Sequence, residues 1–110
     1  MTEQGLKYLS DIMHAILLIE SFTSSVSGYK DYVYDLKTQS AVERQLGIIG
    51  EAVNKFDSLN LGVQLNHSRQ IAGMRNRIIH AYDAVDSSIV WAILKNHLPL
   101  LKAEVEGLLT

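Results

Sequence analysis

Arg75 and His80 stand five positions apart in the stretch RNRIIHAYDAVD, residues 75 to 86, with Asn76 directly after the arginine and Tyr82 two positions beyond the histidine. These side chains suit chemistry at phosphorus. Arginine holds a rigid fork of donors that matches phosphate oxygens. Histidine is the side chain best tuned to move protons near neutral pH. On a helix turning roughly 100° per residue, one face about 160° wide carries Tyr82, Arg75, Ile79, Asp83, Asn76 and His80 in that order. Arg75 and Tyr82 lie two turns apart and nearly eclipse, and Asn76 and His80 stack at a spacing of four. Arg75 and His80 fall toward opposite edges of the face, so a partner surface would help bring them together.

Charge along the chain supports an anion site. From Ser58 to Tyr82 there is no Asp or Glu, yet the same stretch holds Arg69, Arg75, Arg77, His67 and His80. Arg69, Arg77 and Ile79 are expected to contact an anionic ligand held there. A polar face that also carries an isoleucine and a tyrosine is one that meets a partner. For a small helical protein the simplest partner is a second copy, and a two-fold axis would bring two Arg75 and two His80 to one groove.

Spacing alone leaves other readings open. An arginine and a histidine on one helix are commonplace, and a solvated face or a dimer seam would account for them. The remaining histidines, His14, His67 and His97, lack such company; His14 and His97 fall in apolar helices and are expected to be buried or half-buried. The chain has no HExxH, no glycine-rich phosphate loop and no GxSxG. Asp83 and Asp86 are more readily explained as helix caps or solvated groups than as metal ligands. No metal and no cofactor are expected.

The elements that must position these residues are helical. Leu6, Leu9, Met13 and Ile16 mark one face of a helix over 5–23. SSVSG, residues 24 to 28, interrupts it, and residues 29–38 read as a short helix or a turn. Val42, Leu46, Ile49, Val53 and Phe56 follow a 4-3-4-3 spacing without a miss. Gly47 and Gly50 flank that stripe, and their cost to helix stability suggests close approach of another helix. Residues 57–68 read as a loop, with Ser68 as a candidate cap. Ile71, Met74, Ile78 and Ala81 form a third stripe. Asp86, Ser87 and Ser88 interrupt again, and a last helix over about 89–108 should be kinked or divided at Pro99. The result is an all-α, antiparallel bundle of four main helices in one domain, residues 1–110.

Composition sets bounds. The 110 residues carry a net charge of −2, which argues against coating nucleic acid through bulk charge and leaves room for a local basic site. Without cysteine there are no disulfides or thiolate metal sites, and a reducing cytoplasm is the expected compartment. Glu3, Asp11 and Glu20 break up the apolar N-terminal residues, unlike a signal peptide, and no uncharged run approaches the roughly 20 residues that span a bilayer.

The segment from Arg75 to Tyr82 resembles the RxxxxHxY motif of the HEPN superfamily. AVERQLGIIGEAVNKF, residues 41 to 56, is similar to the second signature of its HepT-like branch, and the C-terminal part, including Trp91 and Pro99, agrees. The resemblance implies an α-helical, dimeric, metal-independent ribonuclease. It further implies a toxin paired with a minimal nucleotidyltransferase antitoxin. Arg75 and His80 would be the catalytic pair, Asn76 a supporting polar group, and Tyr82 the tyrosine that the antitoxin adenylylates. A non-catalytic RNA- or nucleotide-binding module, or a purely structural helical partner, is the alternative.

Overall fold

The computed structural model describes residues 1–79 and 85–110, with the backbone alone at Ile79. Among these residues six helices follow one another: α1 (Glu3–Thr23), α2 (Tyr29–Val33), α3 (Leu36–Ser58), α4 (Arg69–Ile79), α5 (Ser87–Asn96) and α6 (Leu98–Leu109). Among the described residues there is no strand. The architecture is the expected helical bundle. α3 lies at its centre, against α1 on one side and α4 on another.

The α3 stripe forms as its spacing predicts: Val42, Leu46, Ile49, Val53 and Phe56 are all buried. Asp35 caps the helix, its carboxylate accepting from the Thr38 amide at 3.0 Å, so one amide left open by the first turn is satisfied. The Gln39 side chain reaches back to donate to the Tyr32 and Val33 carbonyls, closing the C-terminus of α2 onto α3.

α1 buries a different face from the expected one. Leu9 and Ile16 are in the core, but Leu6 is exposed and Met13 only half-buried, while Ile12, Ala15 and Ile19 point inward. Apolar residues cover more than half of the circumference of α1, so more than one phase of a 3.6-residue period fits it. Packing chooses among them. Gly5 is buried on the inward face, so close to Leu61 that a Cβ there would meet Leu61 Cδ1 at 2.7 Å, and Leu6 faces outward.

The C-terminal segment divides as Pro99 requires. α5 ends and α6 begins around His97, and Pro99 occupies the first turn of α6, where its missing N–H costs nothing. Asp86 caps α5, its carboxylate accepting from the Ser88 amide at 2.9 Å. His14, expected within an apolar helix to be at least half-buried, is exposed on α1; His97 is half-buried. No helix is long and apolar enough to cross a membrane among the described residues.

Candidate functional site

The loop before α4 is held from a distance. Glu104 of α6 accepts from the backbone amides of Asn66 and His67 at 2.7 and 2.8 Å. Charge-assisted bonds of this kind are among the stronger ones available to a loop. Asn60 and Gly62 adopt positive φ, 52° and 75°, and let the chain reverse after α3. The Ser68 hydroxyl donates to the Leu65 carbonyl at 3.0 Å, while its own carbonyl accepts from Ala72 in the first turn of α4. These contacts fix where α4 starts.

α4 then turns Ile71 and Met74 into the core and leaves Ile78 half-buried. Ala81, the last member of that stripe, lies outside the described residues, as do His80, Tyr82 and Asp83; so does the side chain of Ile79. Arg69, Asn76 and Arg77 are exposed.

Arg75 departs from its expected place on an outward face clear of the core. It is half-buried and pressed against α3. A Cβ added at Gly50 would stand 2.7 Å from Arg75 Cβ and 3.4 Å from both Cγ and Cδ. Gly50 therefore forms a seat for the arginine stem. An arginine side chain is amphipathic, and its methylenes can pack while the guanidinium reaches outward. Arg75 Nε is buried and has no hydrogen-bond partner among the described residues. A buried donor of this kind is costly unless something completes it. Of the two glycines flanking the α3 stripe, Gly50 makes the close helix approach anticipated for them, whereas a Cβ at Gly47 would meet nothing within 4 Å.

The structure thus separates the basic residues of α4. Arg75 backs onto α3. Arg69 and Arg77 line an open groove toward α5. Among the described residues no group of three or more His, Asp or Glu side chains could hold a metal ion. Glu104 was not recognisable as a positioning residue in the sequence, since it acts on amides 37 and 38 positions away.

The helical bundle, with its acid-free, arginine-bearing α4, has relatives among known proteins. A family model described as "Ribonuclease HepT-like" matches residues 12–108. The chain belongs to the HepT-like family of ribonucleases, an enzyme class of the HEPN type. It is 43% identical over 105 residues to a Thermococcus cleftensis protein described as "Probable ribonuclease HepT", covering 92% of each chain. It is 33% identical over 104 residues to a Methanocaldococcus jannaschii protein named as an RNase, covering 93% of this chain and 84% of that one. A relative from Caldanaerobacter subterraneus, also named as an RNase, is 32% identical over 106 residues, covering 93% of this chain and 91% of the other. No solved structure matches the chain.

Proposed function

We propose that this chain is a metal-independent endoribonuclease that cuts RNA through Arg75 and His80. The carrying observation is the match to the ribonuclease family across residues 12–108, a span that contains the whole RxxxxH stretch. The seating of Arg75 on Gly50 adds a physical argument: a guanidinium whose stem is packed before substrate arrives is preorganised for charge.

In this reaction the ribose 2′-oxygen attacks the adjacent phosphorus, and the bond from phosphorus to the 5′-oxygen breaks. The products are a 2′,3′-cyclic phosphate and a 5′-hydroxyl end. His80, from one or both protomers of a two-fold dimer, takes the proton from the 2′-hydroxyl or supplies one to the departing 5′-oxygen. Arg75 stabilises the charge that develops on the phosphoryl oxygens. Asn76 orients ribose or phosphate by hydrogen bonding, and Ile79 and Tyr82 line the path, where an aromatic ring can stack on a base.

The same reading makes the chain the toxin of a toxin–antitoxin pair, silenced by a nucleotidyltransferase. The Tyr82 oxygen would attack the α-phosphorus of ATP, forming a phenolic ester of AMP and releasing pyrophosphate. The added charge and bulk would then occupy Arg75 and fill the RNA path.

Cleavage of RNA by the purified protein should persist in EDTA and fall by roughly 10²–10⁴-fold in His80→Ala, the usual worth of a general acid–base group. Arg75→Ala should also abolish measurable turnover. Activity lost to the chelator and restored by a divalent ion would reject this mechanism. Tyr82→Phe should keep much of the cleavage and escape silencing by the antitoxin, with no AMP adduct in the intact mass. A Tyr82→Phe protein that binds RNA but cannot cut it would make the phenol a catalytic acid instead.

A further inference from the structure

The groove between α4 and α5 lies on the other side of α4 from Gly50 and encloses about 540 Å³. Arg75 and Arg77 are two positions apart, a rotation of roughly 200° on a helix, so one arginine cannot serve both sides. Arg69, Gly73 and Arg77 repeat at intervals of four and make a single row along the groove's α4 wall. The opposite wall carries Ile89 and Ala92 from α5, with His97 at its far end.

Three features give this groove a chemistry. Arg69 and Arg77 are exposed, and no carboxylate lies within ion-pair distance of either among the described residues. Among the described residues no Asp or Glu lines the groove. Its floor is apolar, with Met74 and Ile93 buried beneath the rim and Ile89 39% exposed within it. Gly73 keeps the middle of the α4 wall low: a Cβ there would meet nothing within 4 Å. A charged rim around an apolar floor fits a ligand that is anionic along its edge and flat and apolar across its face. A single-stranded nucleic acid has that character, with phosphates for the arginines and a base for the floor.

We propose that the α4–α5 groove is a second RNA-binding site, which holds a single-stranded part of the substrate away from Arg75. The proposal rests on the ribonuclease reading and adds a place for the strand to lie. α4 then acts as a divider. One side seats the arginine of the cleavage motif, and the other grips the strand through Arg69 and Arg77.

The test uses the full-length protein and a fluorescent single-stranded RNA whose 2′-hydroxyls are methylated, so that it binds without being cut. Fluorescence anisotropy gives Kd at several salt concentrations, and light scattering follows the oligomeric state. In the double variant Arg69→Ala/Arg77→Ala, Kd should rise about tenfold, the effect of two surface charge contacts. The slope of log K against log salt should become shallower by about 1.4, the loss of two phosphate contacts on a single strand. Gly73→Leu probes the groove by bulk alone: Kd should rise while the salt slope stays, and thermal stability should not fall because the added side chain enters open space. Wild-type Kd in both variants would overturn the proposal. So would weaker binding accompanied by loss of the dimer, which would make the groove a seam between copies. Cleavage of unmodified RNA by the wild-type protein separates this site from the parent reading. A protein that binds through the groove but never cuts supports the groove and rejects the nuclease mechanism. A protein that cuts while both groove variants bind like wild type rejects the groove alone.

Discussion

Tyr32 shows how a single side chain can conflict with its surroundings. It is fully buried, its ring packed against Trp91 at a centroid distance of 5.2 Å. Its hydroxyl is buried without a hydrogen-bond partner among the described residues. Burial, followed by the nearby Glu43 and Asp35 carboxylates, raises the phenol above its ordinary range. The folded state therefore keeps its proton at a pH where the unfolded chain releases it. The stability tied to the neutral phenol is complete below the ordinary tyrosine value and is lost as pH rises above it. Tyr32→Phe keeps the ring and removes the stranded hydroxyl. Urea unfolding should show a gain of about 1 kcal/mol at neutral pH, within the range for removing an unsatisfied buried polar group. The difference from wild type should widen above about pH 10, where a free phenol ionises. A variant less stable at neutral pH would mean that the hydroxyl finds a partner. Arg75 carries a similar stranded donor, but its cationic head cannot be replaced as simply. Its Nε needs a partner that the described residues do not supply.

Between elements, the decisive contact is that of α3 with α4. Gly50→Ala places a methyl 2.7 Å from Arg75 Cβ, and both atoms belong to helix walls that cannot simply rotate away. Overpacking of this kind typically costs about 1–3 kcal/mol, and better helix propensity returns no more than about 1 kcal/mol. Gly50→Ala should therefore lower the thermal midpoint and, by displacing Arg75, reduce RNA cleavage in the fraction that remains folded. Gly47→Ala, on the same helix with open space around it, should raise the midpoint. Equal effects at the two positions would show that the glycines act through propensity and not through the helix approach. The α3 stripe was legible in the sequence because its apolar residues recur without a miss and its other positions are mostly polar. The phase of α1 was not, because a helix apolar over more than half of its circumference offers more than one face, and only tertiary packing buries Ile12, Ala15 and Ile19 in place of Leu6 and Met13. Arg75 was recognisable by type and spacing. Its burial was not, because it depends on a glycine 25 positions earlier in the chain. The hold of Glu104 on the α4 loop was equally hidden, since it joins segments whose proximity only the fold creates.

At the scale of the whole molecule, a chain of net charge −2 has kept acidic residues out of the entire stretch from Ser58 to Tyr82. Binding by bulk charge is thereby weak, and attraction for an anion is concentrated around α4. The proposed chemistry asks more of this region than one copy provides with ease, because helical spacing alone predicts Arg75 and His80 toward opposite edges of one face. A two-fold dimer resolves this if Arg75 of one protomer works with His80 of the other. Subunit exchange tests that arrangement. Arg75→Ala and His80→Ala proteins should each be inactive as homodimers, but a mixed dimer would pair the intact arginine of one with the intact histidine of the other. Equimolar exchange should restore about a quarter of the wild-type rate, since half of randomly paired dimers are mixed and each has one complete site of two. Differently tagged protomers, co-purified after exchange, establish that mixed dimers have formed. Mixed dimers without activity would place both groups of each working site in a single protomer, or would require both histidines at once. Recovery near the expected fraction would make the dimer part of the catalytic machinery, since neither protomer of the active pair could supply both groups alone.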